Sequence, residues 1–278
     1  MAGRQLISII EREHGLVLRR VLQTPCQCYT DCVMKRLSQG AMPPLAMQGK
    51  ITDFRSRSAL PACPDCSLQT AIDRLAVPGI IIGHRFILPG DECALTSEQR
   101  AASPAIKTRR SSGAARIVAA ELLARAGHRA CAVPKTRSGA PVWPRGLVGS
   151  LAHDSQLAVA ALAPRRKFAA VGIDIEPAEP LPSELINVIA TPSEQASLDT
   201  YLYGGRLLFV VKEAVYKAVA SLDRIFLDHQ DIEIDFAKGR AVVRNGRTVG
   251  VRFLISNRLL ALAFIRAPAI QRARVADA

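Results

Sequence analysis

The same succession of patterns runs through this chain twice, and the repetition narrows the folds open to it. The run GIIIGHRFIL, between Pro78 and Pro89, has the branched residues of a strand and closes on the turn Pro89-Gly90-Asp91. A short helix capped by Thr96 or Ser97 follows. A longer helix over Ser111 to Ala126 carries an apolar stripe of Ile117, Val118, Ala120, Leu122 and Ala124, and Gly127 stops it. After the turn-rich KTRSGAPVWPRG come two short apolar runs, LVGSL and QLAVAAL, with His153 and Asp154 between them. Then the succession restarts. FAAVGIDIE reads as a strand, SELINVIA as a helix, and Gly205 to Leu222 as a second long helix striped with Leu207, Leu208, Val211, Ala214, Val215 and Ala218. Closing strands DIEIDF, RAVVRN, TVGVRFLI and LLALAFI follow, with Asn245-Gly246 as a hairpin turn. The expected fold class is α+β, built as two similar lobes over residues 76–167 and 168–267, with a tail over 268–278 and a ligand cleft between the lobes.

Residues 1–75 lack a sustained period and are rich in Pro, Gly, Ser and Cys, so they read as a weakly ordered extension without catalytic residues. Five of the seven cysteines (Cys26, Cys28, Cys32, Cys63, Cys66) lie there. The pair Cys63-Pro-Asp-Cys66 has a spacing that holds zinc when a second pair joins it. The partner spacing is irregular, and reduced, scattered thiols are the other reading. No stretch reaches the roughly 18 uncharged apolar residues of a membrane span, and the opening MAGRQLISIIEREHG is broken by Glu11 and Arg12. A soluble, cytoplasmic protein is expected.

The net charge of +13 is unevenly spread. Residues 95–170 hold thirteen Lys/Arg against three acids, a balance of +10, whereas residues 171–236 hold twelve acids against four bases, a balance of −8. A nucleic-acid binder keeps one basic face with aromatic stacking partners, and this chain has a single Trp and a basic half set against an acidic half. A polyanionic ligand with a divalent cation fits better, and a basic nucleic-acid-binding protein without activity is the alternative.

Asp174 and Glu176 stand two apart on a strand, so both carboxylates project from one face, with Gly172 upstream leaving room for a close approach. Glu213 and Lys217 are one helical turn apart, with Lys212 beside them. Three carboxylates converging from a strand and a helix suit Mg²⁺, which keeps several waters and takes further ligands from phosphates; Lys212 and Lys217 would meet the phosphate oxygens. Ser150 and His153 lie where the lobes join. With Asp154 they are too close in sequence to line up as a hydrolase triad, and no GxSxG elbow is present, so a phosphate contact is the better use of His153.

GLVGSLAHDSQLAVAAL, VGIDIEP and FVVKEAVYKA, in this order and at these gaps, resemble the three signature segments of 4'-phosphopantetheinyl transferases of the enterobactin-synthetase and surfactin type. The resemblance covers about Leu95 through Ala220 and includes GAPVWPRG and the Lys/Arg run ahead of Arg116. The chain departs from the family's pattern at Ala152, Val210 and Ser112. The resemblance implies a pseudo-twofold pair of lobes, working as a monomer. It also implies transfer of the phosphopantetheine arm of coenzyme A to a serine of an apo acyl, peptidyl or aryl carrier protein, releasing adenosine 3',5'-bisphosphate, in siderophore or other secondary-metabolite synthesis. Asp174, Glu176 and Glu213 would then hold Mg²⁺, Glu213 would take the serine proton, and Lys217 would neutralise the pyrophosphate. His153, with Arg109 or Arg110, Arg116 and Lys135, would bind the adenine-side phosphates. EPAEPLPSEL, after the acidic strand, is expected to receive a carrier helix.

Overall fold

A computed structural model describes residues 64–103, 105–128, 132–136 and 139–268. The extension over 1–63, with four of the cysteines named above, lies outside the described residues, as do the side chain of Cys66 and the tail over 269–278. The chain divides between Thr70 and Ala71 into two units. Helix α1 (Pro64–Arg74) begins in the first, and the second carries both sheets. No helix among the described residues is long and apolar enough to cross a membrane.

The first sheet is antiparallel, with β1 (Ile81–Phe86), β2 (Leu147–His153) and β3 (Leu157–Pro164) in the order β1-β3-β2. Seven of the eight β3 residues are buried, so LAVAALAP shows no polar alternation: it is the middle strand, covered on both faces. A short helix α2 (Ser97–Ala101) opens on a reciprocal cap between Thr96 and Gln99, as its sequence predicts. The long helix α3 (Ile106–Arg125) packs on β1 and β3.

That helix starts five residues before Ser111, because its first turn, Ile106-Lys107-Thr108-Arg109-Arg110, has no apolar period and Ala105 offers no side-chain cap. Its buried row also differs from the expected stripe. Ala115, Val118, Ala119, Leu122 and Leu123 face the core, Ile117 and Ala120 are half-buried, and Ala124 is exposed. Gly127, at φ +81, ends the helix as expected.

The second sheet runs β4-β8-β7-β6-β5, antiparallel throughout, from β4 (Phe168–Pro177), β5 (Ile232–Asp235), β6 (Arg240–Val243), β7 (Thr248–Ile255) and β8 (Arg258–Arg266). Between β4 and β5 lie α4 (Ser183–Ile189), α5 (Pro192–Gln195) and the long helix α6 (Gly204–Asp223). All six expected stripe residues of α6 are fully buried against β4 and β8, joined by Val210, Val219 and Lys212.

The two lobes share one plan. An edge strand leads to a twenty-residue helix and then to a hairpin whose second strand pairs with that edge strand, giving β1-β3-β2 in one sheet and β4-β8-β7 in the other. The β5-β6 hairpin extends only the second sheet. Strand β2 packs beside β4, so the two sheets meet at the strand that carries the acidic pair.

Candidate active site

Gly172 decides how the site is assembled. A Cβ at that position would lie 1.9 Å from the carbonyl oxygen of Ala214 and 2.8 Å from the nitrogen of Ala218, so only a bare strand lets α6 cross β4 this closely. Glu213 and Lys217 precede those two helix residues by one, and the crossing carries them to the acidic strand. On β4, Ile173 and Ile175 fill the core while the alternate positions, Asp174 and Glu176, share the other face.

Each carboxylate is met by a different basic group. Lys217 Nζ donates to Asp174 Oδ1 at 2.5 Å. Arg206 Nη1 donates to Glu176 Oε2 at 3.2 Å, and its Nη2 reaches the carbonyl of Pro180 at 3.2 Å. His229 Nε2 lies 3.0 Å from Glu213 Oε1. The three acids nonetheless feel one another. Burial holds Asp174 above its ordinary range against the pull of Lys217, and the charge of Glu213 adds to the rise. Burial and then the Asp174 charge raise Glu176. Glu213 is held below the usual carboxylate range, first by the His229 hydrogen bond. Among the described residues, no three His, Cys, Asp or Glu side chains stand together as a ready-made metal cluster.

Beside Lys217 a cleft of about 300 Å³ opens, lined by Ser112, Arg116, Lys135, Ala152, His153 and Lys217 among others. Arg116 is held against its wall: Nε donates to the carbonyl of Val133 at 3.2 Å, and Nη1 to the carbonyl and hydroxyl of Ser112, each at 2.8 Å. Lys135 sits on a loop closed by its bridge to Pro141, and His153 ends β2. Desolvation lowers the pKa of His153, and the neighbouring Lys217 charge pushes the same way. Lys217 belongs both to this basic wall and to the acidic group, and it links the cleft to Asp174.

Four expected ligand residues stand elsewhere. Lys212 is fully buried, and its Nζ is spent on Glu194 Oε2 at 2.6 Å and on the carbonyls of Ile189 at 2.8 Å and His229 at 2.9 Å, so it meets no phosphate. Ser150 lies buried in β2 opposite Ala161, on the strand face away from His153, and is no part of the cleft wall. Arg109 and Arg110, near the start of α3, do not line the cleft; Arg110 pairs with Glu92 at 3.2 Å and Arg109 donates to the carbonyl of Ser103 at 3.1 Å. Asp154 makes the β2–β3 turn, its Oδ1 accepting from the nitrogens of Gln156 at 2.6 Å and Leu157 at 2.7 Å while Oδ2 pairs with Arg258 at 2.5 Å. It is therefore no partner for a nucleophile.

The sequence reading missed Arg206 and His229. Neither has a local signal, since each meets its carboxylate across the fold, 30 and 16 residues away. Asp154 did carry one, because an Asp two residues before the hydrogen-bonded nitrogen is a turn-forming residue.

A basic cleft joined through Lys217 to a carboxylate-bearing strand is an arrangement that suits a phosphorylated ligand. Residues 97–163 match the family described as the 4'-phosphopantetheinyl transferase N-terminal domain, and residues 170–263 match the 4'-phosphopantetheinyl transferase superfamily. The 4'-phosphopantetheinyl transferase Npt of Nocardia iowensis is 35% identical over 169 residues, 59% of this chain and 76% of that protein. PptT of Mycobacterium tuberculosis is 38% identical over 37% of this chain and 47% of its own length, and Svp of Streptomyces mobaraensis 38% identical over 35% and 42%. The chain belongs to the 4'-phosphopantetheinyl transferase superfamily. Its activity is transfer of phosphopantetheine to a carrier protein.

Proposed function

We propose that this protein moves the 4'-phosphopantetheine arm of coenzyme A onto a serine of an apo acyl, peptidyl or aryl carrier protein with the aid of Mg²⁺, releasing adenosine 3',5'-bisphosphate. The observation that carries the reading is the double position of Lys217, in the basic cleft and 2.5 Å from Asp174. In it Arg116, Lys135 and His153 bind the adenine-side phosphates of coenzyme A, and Lys217 neutralises charge that builds on the leaving pyrophosphate oxygen. Glu213 accepts the serine proton, directly or through water.

The donor set fits the metal. Asp174, Glu176 and Glu213 offer oxygen only and carry three negative charges, and because they do not stand together as a ready-made cluster, Mg²⁺ would have to draw them together. Mg²⁺ held there would neutralise the pyrophosphate. The basic residues line a concave wall rather than a flat face, which favours a small polyanion over a nucleic acid. The carrier docks on the segment after β4, where Leu185, Val188 and Leu202 are exposed. Likeness to the enterobactin-synthetase type points to a cytoplasmic, monomeric enzyme serving siderophore or related secondary-metabolite carriers.

The test is intact-protein mass spectrometry of apo carrier incubated with coenzyme A and this protein, with Mg²⁺ and with a chelator. A gain of one phosphopantetheine arm, present only with Mg²⁺ and lost in Glu213→Gln and Asp174→Ala, is expected. Near-normal transfer by both variants would overturn the assignment of the site.

A further inference from the structure

We propose that His229 is a positioning residue for the transfer: its imidazole fixes the Glu213 carboxylate, and the buried Lys212–Glu194 pair holds the His229 turn where it can do so. The inference rests on Glu213 being the base of the proposed reaction.

His229 opens the short turn His229–Asp231 between α6 and β5, and three contacts fix it. Its Nε2 lies 3.0 Å from Glu213 Oε1. Its ring stacks on Phe209, with centroids 5.6 Å apart and planes at 28°. Its carbonyl accepts from Lys212 Nζ at 2.9 Å. Phe209 and Glu213 are one helical turn apart, so the ring lies along the surface of α6 with its stacking partner and its hydrogen-bond partner in one row. An ionised carboxylate only accepts, so the proton of the shared bond belongs to Nε2. Oε1 is thereby anchored, and Oε2 with the second lone pair of Oε1 is left for a hydroxyl and for the cation.

Lys212 and Glu213 are consecutive, and the turn of the helix sends their side chains in different directions. Lys212 enters the core, where its three acceptors are the carbonyls of Ile189 and His229 and the carboxylate of Glu194. Glu194 in turn accepts from the nitrogens of Thr191 and Ile234, each at 2.8 Å. Helix α6 therefore grips the His229 turn twice, from inside through Lys212 and at the surface through Glu213. A glutamate free to sample its rotamers would present its oxygen only part of the time, and the imidazole removes that freedom.

Steady-state transfer from coenzyme A to an apo carrier is compared for wild type, Glu213→Gln, His229→Phe and His229→Gln. His229→Phe keeps the stack on Phe209 and loses the hydrogen bond; its kcat should fall about tenfold or more with KM for coenzyme A within about twofold. His229→Gln, which returns an amide nitrogen near the place of Nε2, should recover to within about threefold of wild type. In the metal-free protein, ¹⁵N NMR should show the His229 ring as the single Nε2–H tautomer, and Glu213→Ala should average it between tautomers. Wild-type turnover by His229→Phe, a loss seen in KM alone, or no recovery in His229→Gln would overturn the proposal. If Glu213→Gln is inactive while His229→Phe is active, only the positioning role falls. Full activity of Glu213→Gln would instead remove the base, and this role with it.

Discussion

Replacing Gly172 by Ala tests the crossing on which the site depends. The added Cβ would lie 1.9 Å from the Ala214 carbonyl oxygen, where real contacts do not fall below 3.0 Å, so α6 and β4 must part by about 1.1 Å. The obstructing atoms are helix backbone, which no rotamer change can move aside. Overpacking of this kind costs about 1–3 kcal/mol, or about 2–4 °C of melting temperature per kcal/mol in a chain of this size. The same displacement carries Glu213 and Lys217 away from Asp174, and misplacement by about 1 Å is worth about 10²-fold in rate. Urea denaturation and the carrier-transfer assay read the two effects separately. Gly83→Ala is the control: its Cβ would lie 3.0 Å from Val118 Cγ1 and 3.2 Å from Leu122 Cδ2, side-chain ends that can turn, so it should lose less stability and keep near-normal activity. If Gly172→Ala stays within about 0.5 kcal/mol of wild type and within about twofold in rate, the crossing does not set the site.

Other substitutions separate binding, stability and chemistry. Lys212→Met should destabilise the protein by about 3–5 kcal/mol in urea titrations, because it strands the buried Glu194 charge; adding Glu194→Leu should return part of that loss. Arg116→Ala and Lys135→Ala should each raise KM for coenzyme A with a smaller effect on kcat in the transfer assay. Asp174→Asn should abolish transfer yet raise the melting temperature of the metal-free protein near neutral pH. Since burial raises the folded pKa of Asp174, its ionised form lowers stability as pH climbs from 3.8 through that higher value, so the advantage of Asn should shrink as pH falls toward 4 in calorimetry.

Helix α6 was legible because six apolar residues keep one period, and Gly172 because a bare position in a strand invites a close neighbour. The shared face of Asp174 and Glu176 on β4 was legible from their spacing, whereas the expected three-carboxylate cluster with Glu213 is not formed among the described residues. Lys212 was misread because its charge was set above the pattern. Its neighbours one turn away are Leu208 and Val215, both fully buried, so the period already put it in the core. The early start of α3 was hidden by Lys107, Thr108, Arg109 and Arg110, which carry no period. Arg206 and His229 depend on how α6 meets β4 and the turn before β5, a property of the folded chain that no short window contains.

The Lys212–Glu194 pair also orders the folding of the second lobe in time. The Thr191–Glu194 cap is local, but the contacts of Lys212 with Ile189, Glu194 and His229 and of Glu194 with Ile234 span 23, 18, 17 and 40 residues, so they form only once α4, α5, α6 and the first residues of β5 have all arrived. A lone ammonium or carboxylate would be costly to dry before then, which makes this a late event on the native side of the main barrier. Weakening it should therefore speed unfolding far more than it slows folding, and the amide proton of Ile234 should exchange with solvent only when the whole lobe opens.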